Sequence, residues 1–163
     1  MASESTWKPK KNPWLTCIPL MVAAFMFVLD ETIANVALPY MAGSFSVSRQ
    51  ESTWVLTSYL IASGIAIPSV DFFCKLLGRK NLFILSIITF TVASFLCGIS
   101  TSLPMMVLNR VLQGFGGGAL LPLAQAMALE PFPVEKRAQS MALFGLVVVI
   151  APIVGPVIGG WIT

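Results

Sequence analysis

The stretch Phe25-Met26-Phe27-Val28-Leu29-Asp30-Glu31-Thr32-Ile33-Ala34-Asn35-Val36-Ala37-Leu38-Pro39 decides the fold. It sets two adjacent carboxylates between apolar runs. No charge occurs from Asn12 to Leu29, and none from Thr32 to Ser48. About 20 helical residues at ~1.5 Å each cover the roughly 30 Å hydrocarbon core of a bilayer, so the run is long enough to span it. An ionisable group in mid-span costs about 2.5–3.5 kcal/mol on insertion scales and therefore turns toward a partner or a watery cavity. Asp30 and Glu31 are the first candidates for function. The alternative is that one of them pairs with a neighbouring helix for packing alone. Successive helical residues are set roughly 100° apart, so the two cannot point at one spot, and which of them faces a cavity stays open.

Composition points the same way. Of 163 residues, 56% are hydrophobic and 10% charged, with a mean hydropathy of +0.86. Soluble domains carry about 25% charged residues, so the expected class is an all-α membrane protein. The net charge of +3 is small and unevenly placed, which speaks for membrane orientation and against a nucleic-acid partner. The chain has no histidine, which excludes His-ligated metals and His-based triads. Cys17, Cys74 and Cys97 lack metal-ligand spacing and read as free thiols. No nucleophile, base and acid gather at one depth, so the chain does not read as an enzyme. Neither a cofactor nor a metal is implied.

The start, Met1 to Lys11, is polar and basic, and apolar sequence follows it. That apolar run exceeds the core of a secretory signal and ends in no small-x-small cleavage site, so it reads as a retained first span. Residues 1–13 are expected to form a cytoplasmic amino-terminal segment. Five spans then follow, at about 14–41, 52–73, 81–100, 105–129 and 138–162. Short polar or basic links separate them and favour an antiparallel bundle.

Eight of the ten basic residues (Lys8, Lys10, Lys11, Lys75, Arg79, Lys80, Lys136 and Arg137) fall on the amino-terminal segment and the second and fourth links. Only Arg49 lies in a link on the other side. The positive-inside rule then puts the amino terminus in the cytoplasm of a multi-pass plasma-membrane protein. Trp7 and Trp14 suit the interface.

The tenth basic residue, Arg110, lies inside the fourth span, in Asn109-Arg110-Val111-Leu112-Gln113-Gly114-Phe115-Gly116-Gly117-Gly118-Ala119. Asp30 is about ten residues, ~15 Å, from the outer end of its helix, and Arg110 about six residues, ~9 Å, from the outer end of its own. A long side chain bridges that difference. A buried guanidinium calls for a carboxylate, which makes Asp30 the expected partner. The alternative is that Arg110 snorkels to the outer interface. Gly114, Gly117, Gly118 and Ala119 leave one flank of this helix nearly bare, for close packing or a cavity wall. A phosphate-binding loop is a poor alternative, because no strand precedes the glycines and no lysine follows them.

In the fifth span Ala151, Gly155 and Gly159 recur every fourth residue, a small-residue stripe for close helix approach. Pro152 and Pro156 each remove a backbone donor, so a kink is expected there. Met26, Phe25, Phe27, Trp54 and Tyr59 are candidates for an adaptable apolar wall, although such residues more often face lipid or pack.

Three segments together resemble a known family. Leu29 to Pro39 is similar to the first-helix motif of EmrB/QacA-type drug:proton antiporters in the major facilitator superfamily. Arg110-Val111-Leu112-Gln113-Gly114 resembles their fourth-helix arginine motif. Gly145, followed by Ala151-Pro152-Ile153-Val154-Gly155-Pro156-Val157-Ile158-Gly159-Gly160, resembles their fifth-helix antiporter motif. The resemblance implies five helices of a six-helix bundle and proton-coupled efflux of lipophilic and cationic drugs. It also implies a periplasmic adaptor of the EmrA type as partner, beside the bilayer itself. On that reading Asp30 and Arg110 couple protons, and Glu31, Asn35 and Gln113 contact substrate. Gly78, Arg79, Lys80, Gly145, Pro152, Gly155, Pro156, Gly159 and Gly160 form structural and gating motifs.

Two features depart from the pattern. In the link between the second and third helices, Asp71, Lys75 and Leu76 replace the family's Gly, Asp and Arg. Asp71 and Lys75, four apart with the acid first, are then expected to supply a substitute latch worth tenths of a kcal/mol. Glu31 stands where the family has an uncharged residue. The family's structural unit has six helices and its transport needs two such units. Five spans therefore leave a second reading open, a non-transporting fragment acting by association with other helices; the fifth-helix motif argues against a third, an uncoupled metabolite facilitator.

Overall fold

The computed structural model describes residues 13–162. The expected amino-terminal segment, with Trp7, Lys8, Lys10 and Lys11, lies outside the described residues except for Pro13. The described residues contain helices and no strand. In chain order they are α1 (Pro13–Ser44), α2 (Arg49–Ser52), α3 (Trp54–Leu77), α4 (Arg79–Gly98), α5 (Leu103–Gly118), α6 (Leu120–Leu129) and α7 (Val134–Ile162). Among the described residues four stretches are long and apolar enough to cross a membrane: Pro13–Ser44, Arg49–Leu77, Arg79–Gly98 and Val134–Trp161.

The fourth expected span is divided. It falls into α5 and α6 at Ala119, and neither piece is long enough alone. The cause is Pro122, which has no N–H to donate to the carbonyl of Gly118 and whose ring crowds that carbonyl. The link between the second and third spans is also shorter than expected. Lys75 belongs to the last turn of α3 and Arg79 opens α4, so Gly78 alone makes the reversal. Its φ of +77° is a conformation that costs glycine little and other residues more. At the opposite end, Ser48 and Glu51 form a reciprocal capping box that starts α2. This satisfies two backbone donors that the helix itself leaves free.

α5 packs mainly between α3 and α4, whereas α1 packs mainly on α7 and α6. The larger apolar core gathers toward the end that carries Arg79 and Glu130. It includes Cys17, Leu20, Phe83, Leu123, Phe132 and Phe144. Trp14 closes that end, edge-on to Phe132 with ring centroids 5.0 Å apart. A smaller core of Val55, Cys97 and Met106 lies near the other end. Large apolar side chains such as Leu15, Phe95, Leu108 and Val157 point outward. Such a surface suits lipid, whose tails are as apolar as the side chains.

α7 runs as one helix through Pro152 and Pro156. Both prolines lie on its exposed face, while Ala151, Gly155 and Gly159 are buried. The stripe packs on α1: a Cβ on Gly159 would lie 3.3 Å from Cβ of Val36. Gly145 and Gly160 have open space around them, so neither is a point of close approach among the described residues.

Candidate functional site

The glycines of α5 create the site's geometry. A Cβ on Gly114 would lie 2.5 Å from the carbonyl oxygen of Tyr59, and one on Gly118 would lie 2.8 Å from that of Ser63. Only bare backbone allows α5 to come this close to α3. The Ser63 hydroxyl donates across the seam to the carbonyl of Gly114, at 3.2 Å. The Asn109 amide donates to the Leu96 carbonyl at 3.1 Å and to Ser100 Oγ at 3.0 Å, which ties the start of α5 to the end of α4. Between these ties Arg110 is directed into the bundle.

Arg110 reaches Asp30. Its Nη1 donates to Asp30 Oδ2 at 2.7 Å and to Gln113 Oε1 at 3.0 Å. The Arg110 side chain is 6% exposed and that of Asp30 20%, so the guanidinium does not snorkel to the surface. The guanidinium carbon stands 5.7 Å from the centroid of the Tyr59 ring, within range of a cation–π attraction. Gln113 is fully buried, and its Oε1 also accepts from the Cys97 thiol at 3.7 Å. Tyr59, 2% exposed, has its ring 6.2 Å from that of Phe27, which in turn packs 6.3 Å from Phe90. The site is thus a charged pair with one polar and several aromatic neighbours, contributed by α1, α3, α4 and α5.

The remaining expected residues are placed differently. Glu31 is half-buried, and its carboxylate makes no hydrogen bond or ion pair among the described residues. Asn35 is exposed and donates back to the backbone carbonyl of Glu31 at 3.1 Å. Neither side chain hydrogen-bonds or ion-pairs with Asp30 or Arg110 among the described residues. Phe27 and Tyr59 line the site, whereas Met26 and Trp54 are exposed. Among the described residues Asp71 and Lys75 form no ion pair, so the expected substitute latch does not form. Both point outward from α3 beside a cavity of about 380 Å³ that Cys74, Arg79 and Pro122 also line. The ion pair at this end joins Arg79 to Glu130 at the end of α6. Sequence reasoning missed it, and it also missed Tyr59 as a neighbour of Arg110. The only signal for the latter was Tyr59 lying on the span that the bare flank of α5 would press against.

Comparison with known proteins follows the same lines. Residues 20–163 match the family model of the Major Facilitator Superfamily. The chain is 45% identical over 146 residues to the multidrug export protein EmrB of Escherichia coli K12, covering 90% of this chain and 28% of that protein. It is 43% identical over 150 residues to the fatty acid resistance protein FarB of Neisseria gonorrhoeae, covering 92% and 29%. To the colistin resistance protein EmrB of Acinetobacter baumannii it is 36% identical over 161 residues, covering 98% and 31%. The chain therefore spans less than a third of the length of these relatives.

Proposed function

The chain belongs to the major facilitator superfamily, and from that premise we propose that it is part of a proton-coupled exporter of lipophilic and cationic drugs. Its helices would serve as the first five spans, with the amino terminus in the cytoplasm of a bacterial inner membrane. The names of relatives such as the multidrug export protein EmrB support export as the activity. A periplasmic adaptor of the EmrA type is the proposed partner of the full-length protein.

One observation carries the reading: a carboxylate and a guanidinium, 2.7 Å apart and largely buried, sit among apolar helices. Burying a charge is costly unless it is paired, and removing one partner leaves the other stranded. An opposite charge favours the ionised form of a carboxyl group, and dry surroundings favour the neutral form. A movement of α1 relative to α5 changes both influences together. In this mechanism Asp30 holds the exchangeable proton and Arg110 governs when it leaves. A cationic drug then competes with the proton for the negative centre, with Glu31 and Asn35 lining the path. Gln113 fixes the guanidinium through its carbonyl oxygen.

The test is Asp30→Asn in the full-length protein, reconstituted in proteoliposomes under an imposed pH gradient. Efflux of a cationic dye driven by the gradient should be lost, and dye binding should weaken and lose its dependence on pH. Undiminished pH-driven efflux would overturn the assignment.

A further inference from the structure

Three buried polar atoms around the charged pair have no hydrogen-bond partner among the described residues: Tyr59 Oη, Arg110 Nε and Gln113 Nε2. All three side chains are at least nine-tenths buried. Two of the atoms are pure donors, and the hydroxyl is a donor that can also accept. Of the acceptors nearby, Gln113 Oε1 takes the Arg110 Nη1 and Cys97 bonds and Asp30 Oδ2 takes Arg110 Nη1, while Asp30 Oδ1 and the Ser63 hydroxyl beside Tyr59 keep capacity to accept. The reverse orientation of the Gln113 amide would set its N–H groups against those of Arg110, so unpaired donors remain either way. Buried polar groups in proteins are nearly always satisfied.

We propose that Tyr59, Arg110 and Gln113 form a subsite beside Asp30 for one hydrogen-bond-accepting oxygen, supplied by an internal water or by an oxygen of the transported compound. The inference rests on the exporter reading and deepens it by naming what the centre holds besides a proton. A water needs two to four polar partners in a buried site, and the three unpaired atoms and the carboxylate give it enough. A compound's ether or carbonyl oxygen would use the same donors. Tyr59 is then a positioning residue: its ring supports the guanidinium and its hydroxyl helps to hold the oxygen.

The groups that titrate or carry charge around this subsite come from four helices. Asp30 and Glu31 belong to α1, Tyr59 to α3, Cys97 to α4 and Arg110 to α5. α6 contributes none, and those of α7 lie in its first turn.

The experiment uses full-length protein in proteoliposomes, with Tyr59→Phe and Gln113→Leu beside Asp30→Asn. Tyr59→Phe removes one oxygen and keeps the ring, so the fold is expected to survive it. Two probes are compared: tetraphenylphosphonium, which has no acceptor oxygen, and its methoxy-substituted counterpart. An internal water predicts that both variants move the pH midpoint of efflux by about 0.5 unit, a threefold change in proton activity, with either probe. An oxygen of the compound predicts a loss of affinity of threefold or more for the methoxy probe alone. Either result supports the subsite and identifies its source. If neither variant alters the midpoint or the affinity while Asp30→Asn abolishes coupling, the subsite is overturned and the exporter reading stands. If Asp30→Asn leaves coupling intact, the exporter reading itself fails.

Discussion

Thr32 of α1 fills the place that a side chain on Gly155 of α7 would need. A Cβ on Gly155 would collide with the Thr32 hydroxyl and lie 2.7 Å from Thr32 Cβ. The hydroxyl itself donates back to the carbonyls of Val28 and Leu29, at 3.1 and 2.9 Å, which leaves it little freedom to yield. Thr32 is two residues from Asp30, so the small-residue stripe of α7 clamps the segment of α1 that bears Asp30.

Gly155→Ala therefore forces α7 away from α1, since turning Thr32 to another rotamer would move its hydroxyl but leave its Cβ 2.7 Å from the added methyl. Overpacking of this kind costs about 1–3 kcal/mol. In full-length protein a thermal unfolding assay in detergent should show a lowered midpoint, and pH-driven efflux should fall with it. Gly155→Ala combined with Thr32→Ala should recover only the part due to the hydroxyl, because the two Cβ atoms would still stand 2.7 Å apart. No recovery would mean that the collision lies elsewhere.

Two glycines of the inferred motifs are expected to behave oppositely. Gly114→Ala sets a methyl group 2.5 Å from a backbone oxygen and 2.8 Å from Ala62 Cβ, and backbone cannot step aside as a side chain can. Loss of about 1–3 kcal/mol is expected, through separation of α5 from α3. Gly145→Ala meets nothing within 4 Å inside a helix, so it should be neutral or stabilise by about 0.5–1 kcal/mol. The two unfolding midpoints, measured side by side, check this. Equal losses would contradict the packing described.

What could be read from the sequence, and what could not, follows from how each feature announces itself. Asp30 and Arg110 stand out because a charge in a long apolar run has few tolerable explanations, and simple helical rise set them near one depth. The stripe at Ala151, Gly155 and Gly159 was visible through its spacing, but Thr32 as its counterpart was not, since threonine carries no mark of what it touches. The division at Ala119 had a signal in Pro122, four residues after Gly118, which the hydropathy of the run concealed. Arg79 and Glu130 lie 51 residues apart, and exposed charges are common enough that no pairing could be singled out. Asp71 and Lys75 had ideal spacing and still do not pair, because water competes well for exposed charges.

The Arg79–Glu130 bridge should matter little for stability. Its side chains are 60% and 53% exposed, and exposed ion pairs contribute a median of about 0–1 kcal/mol. Glu130→Gln should move the unfolding midpoint by less than that amount, and raised salt should shrink the difference further. A role in joining α4 to α6 during transport would show separately. Efflux would then fall in Glu130→Arg and return in the exchange Arg79→Glu with Glu130→Arg. A large stability loss in Glu130→Gln would indicate a pair much drier than its exposure suggests.

The charged pair itself should show strong non-additivity. Arg110→Leu strands the Asp30 carboxylate in an apolar bundle, at a cost of about 3–5 kcal/mol, because a buried charge without its partner is the expensive case. Asp30→Asn leaves a guanidinium that cannot shed its charge, whereas a stranded carboxyl can take up a proton, so the cost of this variant should be at least as large. In the double variant neither charge remains, and the loss should fall well below the sum of the two, with a coupling of about 0.5–3 kcal/mol. Arg110→Lys tests the geometry as distinct from the charge. A lysine keeps the attraction to Asp30 and can donate to Gln113 from the same nitrogen, as Nη1 does here, but it lacks the flat guanidinium that stands over the Tyr59 ring. It should fold better than Arg110→Leu and still transport poorly. Unfolding of the wild type, the two single variants and the double variant in one detergent decides the matter: simple addition of the two single losses would show that Asp30 and Arg110 do not stabilise one another in the folded bundle.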